Sequence, residues 1–137
     1  MNRRYILDTN SLSDLINKRR GIDTRVKSAR ESGSAVGTTP PILGELFFGI
    51  EYSRSRDENW RLAYIGLKGL TIWPYDRPAS EDYGRIAADL RRRGRPMQIP
   101  DMQLAAVAFA IGNCTVVTTD SDLSAIPGLS VENWATD

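Results

Sequence analysis

Residues 5–16 read YILDTNSLSDLI, and this stretch sets the architecture. Tyr5-Ile6-Leu7 is a short apolar run of β-favouring residues that passes directly into Asp8-Thr9-Asn10. From Ser11 onward Leu12, Leu15 and Ile16 recur at helical spacing, with Thr9, Asn10 or Ser11 expected as N-cap. A short apolar strand running into a helix is the repeating piece of a parallel sheet, whose strands are covered on both faces.

The same alternation continues along the chain. Gly21 ends the first unit, and a weakly apolar helix is expected over about 24–32, stopped by Gly33. Ala35-Val36-Gly37-Thr38 reads as a buried strand, and Pro40 and Pro41 suit the first turn of a helix running through ILGELFFGIEY. Trp60, Tyr64 and Leu67 mark another helix over about 57–67, closed by Gly66 or Gly69, before a strand at 70–73 that Pro74 ends. Ser80 is the expected cap of the next helix, with Glu81 and Asp82 in its first turn. Tyr83, Ile86, Ala87 and Leu90 then form one apolar stripe, which stops near Gly94 and Pro96. Pro100-Asp101 opens a helix that is apolar nearly all round from Met102 to Ile111, and such a helix belongs at the centre of the fold. A strand at 115–118 leads into Thr119-Asp120-Ser121-Asp122, and a last short strand covers 130–132. The expectation is a single domain over residues 1–137, a three-layer α/β/α sandwich around a central, mainly parallel sheet.

Composition narrows the chemistry. At 137 residues the chain is long enough to bury a real core, and its net charge of +1 carries no global signature of nucleic acid or membrane. No apolar run approaches the roughly 18 residues that would span a bilayer. The two arginines near the start are not followed by an apolar segment, so no signal peptide is read there. A single cysteine, Cys114, excludes an internal disulfide and fits a reducing, cytoplasmic setting. Histidine is absent altogether, which removes Ser-His-Asp and Cys-His catalysis and any imidazole zinc site.

What remains is a set of carboxylates. In open α/β sheets ligands bind beyond the carboxyl ends of the strands. Asp8 follows the first strand and Asp120 the fourth, so both belong to one rim, while Asp101 begins the buried helix. Glu45 sits within a helix among Pro41, Ile42, Phe48 and Gly49, an apolar setting in which an ionised carboxylate is costly without a partner. Singly, each acid has an ordinary role: helix cap, turn residue or salt-bridged helix residue. Jointly, they form a rim of anions that repel one another unless a divalent ion neutralises them. Oxygen-only ligands of this kind suit Mg²⁺ or Mn²⁺, and such an ion fits phosphate-ester chemistry without a histidine base.

Four segments carry a family resemblance: YILDTNSLSDL, ILGELFFGI, IPDMQLAAVAFAIG and VVTTDSDLSAIPGLSVENW. Together, in this order and over nearly the whole length, they resemble PIN-domain proteins, specifically VapC-type ribonuclease toxins of bacterial toxin–antitoxin pairs. By that resemblance Asp8, Glu45, Asp101 and Asp120 match the family's metal-binding acids and Asp122 a further acidic position. Thr9, Asn10 and Thr118 match small polar positions beside the acids. The resemblance implies Mg²⁺- or Mn²⁺-dependent cleavage of RNA, a homodimer, and a small VapB-like antitoxin whose tail covers the site in a larger assembly.

Arginine outnumbers lysine heavily, and the basic patches are Lys18-Arg19-Arg20 and Arg91-Arg92-Arg93 with Arg95. Arg92, Arg93 and Arg95 lie close in sequence to Asp101 and are the candidate RNA contacts, although a solvated helix end reads the same way. Phe47, Phe48, Tyr52, Trp60 and Tyr64 are more aromatic surface than a small core needs. Most are expected in the core, and part of the set is a candidate groove for an antitoxin. Two rival functions fit less well. A haloacid-dehalogenase-type phosphatase wants a second Asp where Asn10 stands, and a phospho-acceptor domain wants an acid where the second strand ends in threonine. An RNA-binding module without turnover is the third alternative.

Overall fold

In a computed structural model describing residues 3–136, strand β1 (Arg4–Leu7) buries Tyr5, Ile6 and Leu7 and hands over at Asp8 to helix α1 (Thr9–Ile16). The cap is Asp8 itself, not one of the three residues after it. Its backbone is extended and its carboxylate accepts the Ser11 N–H at 2.9 Å, as a short acidic side chain does at a helix start. Helix α2 (Ile22–Glu31) begins two residues earlier than the pattern suggests, because Gly21 takes a left-handed conformation (φ 73°) that starts it. Strand β2 (Ala35–Thr38) and helix α3 (Pro40–Tyr52) fall where the sequence places them. Helix α4 (Arg56–Gly66) then leads to β3 (Thr71–Ile72), which is shortened to two exposed residues.

Helix α5 (Arg77–Arg92) differs more. It starts at Asp76, whose carboxylate accepts the Ala79 N–H, with Pro78 in the first turn. Ser80 is already inside the helix and donates its hydroxyl back to the Asp76 carbonyl. Helix α6 (Ile99–Ile111) is the central one: Met102 and Leu104 through Ala108 are buried, and it packs on α5, α3 and β4 (Cys114–Val117). A 3-10 turn (Ser121–Ala125), absent from the sequence pattern, precedes β5 (Ser130–Glu132).

The five strands form one parallel sheet in the order β3-β2-β1-β4-β5. Two crossovers step outward from β1 to β3, and the third returns past β1 to β4. With right-handed crossovers this puts helices on both faces, the α/β/α arrangement. The reversal lies between β1 and β4, where Leu7 pairs with Val117 and the Asp8 N–H reaches the Val117 carbonyl at 3.2 Å. Ile6, Leu7, Val116 and Val117 are fully buried on these two strands, each side chain stabilising the fold by about 1.5–3 kcal/mol. The most strongly held part of the sheet therefore underlies the rim where Asp8 sits. Among the described residues no helix is long and apolar enough to cross a membrane.

Two glycines separate packing from propensity. A methyl group on Gly37 would land on the Thr71 backbone carbonyl and 2.9 Å from the Trp73 ring, at the β2–β3 pairing. One on Gly84, exposed in the middle of α5, would meet nothing. Gly37→Ala is expected to lower the unfolding free energy by about 1–3 kcal/mol. Gly84→Ala is expected to raise it by about 0.5–1 kcal/mol. Urea titration followed by circular dichroism measures both, and equal effects would mean that β3 does not pack on Gly37 as described.

Candidate metal centre

Because all strands are parallel, their carboxyl ends share one rim, and the acids gather there. Asp8 is buried, 4% exposed, and both of its oxygens are held. One accepts the Ser11 N–H and the other accepts the Thr118 hydroxyl at 2.5 Å. Thr118 stands at the end of β4, so this bond spans the sheet reversal. The same hydroxyl oxygen accepts the Asp120 N–H at 2.9 Å, and the Asp120 carboxylate accepts the Asp122 N–H at 2.9 Å. Threonine thus sets the position of two acids at once, one directly and one through the backbone.

Asp101 lies in the first turn of α6, half-buried. Its carboxyl is pushed up to about 6, first by burial and then by the negative charges of Asp8, Glu45, Asp120 and Asp122. That order of causes places all five acids in one electrostatic neighbourhood. Glu45 arrives from α3, and here the sequence reading needs correction. Phe48 and Gly49 beside it are exposed and Glu45 is itself exposed, so it pays no burial cost. Its partner is Thr9, whose hydroxyl donates to the Glu45 carboxylate at 2.5 Å. Asn10 points to the neighbouring groove between α1, α3 and α4, which Thr9 and Glu45 also line.

None of the five acids forms an ion pair among the described residues. Five carboxylates without a counter-cation, all oxygen donors, fit a hard divalent ion in charge and in donor type. The side chains do not form a closed cage: among the described residues no three acidic, histidine or cysteine side chains converge that tightly. Asp8 is held by two hydrogen bonds in the interior, while Asp120, Asp122 and Glu45 are exposed to solvent. Cys114 is no competing nucleophile, since burial pushes its thiol up to about 12.

A cavity of about 330 Å³ opens beside the acids, lined by Asp101, Asp120 and Asp122 on one side and by Pro96, Met97, Gln98 and Ile99 on the other. The apolar side was not among the candidate residues; an exposed isoleucine (57%) just before Pro100-Asp101 was the signal available for it. Of the three candidate arginines, Arg93 is engaged elsewhere: it bonds Asp89 and donates to the Ala125 carbonyl at 2.8 Å. Arg92 and Arg95 are exposed and make no ion pair among the described residues. The aromatic set also departs from a core role. Phe48, Tyr52 and Tyr64 are 70, 84 and 68% exposed, and only Phe47 and Trp60 are half-buried. Trp60 stacks with Tyr64 and packs at a tilt against Phe47, which makes a ladder of rings across α3 and α4.

The chain as a whole is similar to known proteins. The PIN domain family profile matches residues 5–129. Ribonuclease VapC2 of Rickettsia felis is 28% identical over 131 residues, covering 95% of this chain and 97% of that one. The tRNA(fMet)-specific endonuclease VapC of Salmonella typhimurium is 28% identical over 134 residues, covering 96% and 98%. Among solved structures, VapBC2 from Rickettsia felis bound to a DNA fragment from its promoter superposes with a TM-score of 0.88 at 26% identity, over 96% of this chain and 98% of that one.

The raised Asp101 carboxyl has a measurable consequence in metal-free protein. Its folded value near 6 lies above the unfolded value of 3.8, so its contribution is intact below pH 3.8 and lost as pH rises through 6. Asp101→Asn is therefore expected to melt higher than wild type at pH 8 in EDTA and to match it near pH 4. Each 1 kcal/mol corresponds to about 3–4 °C for a chain of this size. Mg²⁺ or Mn²⁺ should raise the wild-type melting temperature and close the gap. A variant that melts lower than wild type at pH 8 without metal would rule out the repulsion.

Proposed function

The chain belongs to the PIN-domain family, and from that premise we propose that it is a divalent-metal-dependent endoribonuclease, the toxin of a cytoplasmic toxin–antitoxin pair. The observation that carries the reading is the set of five carboxylates without a cationic partner at the sheet reversal, one of them raised to about 6 by burial and by the charges of the other four. Asp8 and Asp120 serve as caps, but the mutual repulsion of five anions works against the fold. It is the expected cost of a site built to hold a cation.

In this reading Asp8, Asp101, Asp120 and Asp122 hold Mg²⁺ or Mn²⁺, and Glu45 completes the reactive carboxylates. When bound, such an ion supplies Lewis acidity toward a phosphoryl oxygen and makes water a usable nucleophile near neutral pH. The chain's own residues supply position and charge. Ser11 and Thr118 keep Asp8 in one rotamer, so the ligand farthest from solvent need not reorganise. Thr118 also orients the backbone that carries Asp120. Thr9 holds Glu45 toward the cluster despite its exposure, and Asn10 extends the polar surface into the adjoining groove. Arg92 and Arg95 offer phosphate contacts, and Arg93 braces the end of α5 instead.

The two relatives compared above are named a ribonuclease and an endonuclease, and the superposed structure is a VapBC complex. A VapB-like antitoxin is accordingly the proposed partner, with its tail across the acids, in a larger assembly built on a toxin homodimer. The exposed rings Phe48, Tyr52 and Tyr64 supply a docking face that a folded monomer does not use.

Purified protein should cleave RNA with Mg²⁺ or Mn²⁺ and fall silent in EDTA, and Asp8→Asn or Asp101→Asn should lower kcat on the order of 100-fold. Thr118→Val is expected to lose about 10–100-fold, and Thr118→Ser to recover most of it, because only the hydroxyl is needed. Cleavage that persists in EDTA, or that survives both acid substitutions, would sink the mechanism. Separately, Phe48→Ala with Tyr64→Ala should leave folding unchanged and weaken antitoxin binding by about tenfold or more. Unaltered affinity by calorimetry would remove these exposed rings from the interface.

A further inference from the structure

The cavity beside the acids shares Pro96 and Met97 with a second cavity of about 350 Å³, between the end of α5 and the start of α6. The walls of this second cavity are apolar. Leu90 and Met102 are buried, and Ala87 and Met97 are half-buried, so its floor is the core itself. Arg91 and Arg95 also line it, both exposed and neither making an ion pair or side-chain hydrogen bond among the described residues. An apolar recess bordered by two unengaged guanidiniums thus lies one ridge away from five carboxylates.

That combination selects its occupant by charge. An apolar peptide side chain would match the walls and leave both cations unanswered. A nucleotide brings a flat, weakly hydrated base and an anionic phosphate together. A phosphodiester approaching an acidic centre is also repelled, and fixed cations within one nucleotide of it offset that field. Resting on the ribonuclease reading, we propose that this slot takes the base of an unpaired nucleotide next to the scissile phosphodiester, with Arg91 and Arg95 on its phosphate. Met97 and Met102 adapt to any base shape, so the slot selects for an unpaired nucleotide and discriminates little among bases. A base held in a helix cannot enter it without leaving its stack.

The test is fluorescence anisotropy with the full-length chain in Ca²⁺, using a short fluorescein-labelled single-stranded RNA. The same RNA is then read with one abasic nucleotide moved along it. Wild type should lose about tenfold in Kd at one abasic position. Ala87→Leu, which fills the slot, should lose about as much with the intact RNA and show no further abasic effect. Arg91→Gln with Arg95→Gln should weaken binding and reduce the slope of log Kd against log salt by about 0.7, the value for one phosphate of a single strand. Kd values within about twofold of wild type for both variants would overturn the slot. So would unchanged RNA binding accompanied by lost antitoxin binding, which would make it a peptide pocket. If Ala87→Leu fails to melt cooperatively, the double arginine variant and the wild-type abasic series decide. Wild type that binds as described but cleaves nothing with Mg²⁺ or Mn²⁺ refutes the ribonuclease reading and leaves the slot standing. Cleavage by a wild type whose variants bind RNA normally does the reverse, and absence of both binding and cleavage overturns both.

Discussion

The hydrogen bond from the Thr118 hydroxyl to the buried Asp8 carboxylate joins the ends of β1 and β4, the two strands between which the sheet reverses. Everything at the rim is referred to it. A buried carboxylate survives only when its oxygens are satisfied, and Asp8 meets that condition with one bond along the chain and one across 110 residues. The local bond starts α1, and the distant one ties the site to the best-buried strands. Asp8 is therefore both a helix cap and the fixed point of an acid cluster, and neither role displaces the other.

Around that fixed point the charges are arranged without mutual compensation. Asp101 is half-buried at a helix start and is raised by that burial and then by its neighbours, whereas Asp120, Asp122 and Glu45 sit in solvent, where screening tempers their repulsion. The gradient runs from a buried acid held by two hydrogen bonds to solvent-exposed ones. A cation entering such a cluster meets one preset ligand and several that can adjust. The proposed metal centre would thus be one that forms on binding rather than one held closed in advance.

The two flanks of the rim differ in chemistry. Toward α5 and the start of α6 the surface is apolar with free arginines, and toward α3 and α4 it is aromatic with acidic partners such as Glu51, which accepts the Trp60 N–H and pairs with Arg56. Cations beside one flank suit a polyanion. Stacked rings beside the other suit an apolar peptide face. The proposed substrate and the proposed inhibitor thus approach the same acids from opposite sides.

Much of this was legible from residue order alone. Strands β2 and β5 and helix α3 lie where periodicity and the paired prolines put them, because those signals act within a few residues. The acids at strand ends and helix starts were legible for the same reason, since a parallel sheet sends all such ends to one rim. Other features depended on partners far away in the chain. Asp76 rather than Ser80 starts α5, and Glu45 is exposed because its helix turns Phe48 and Gly49 outward. Arg93 is bound to a carbonyl 32 residues away, while Arg91, Arg92 and Arg95 make no ion pair among the described residues and only Arg91 and Arg95 line the apolar recess. Local pattern determines which residues are strand, helix or rim. Only the folded chain decides which strands are neighbours, and so which hydroxyl meets which carboxylate, because those contacts join residues that sequence separation keeps apart.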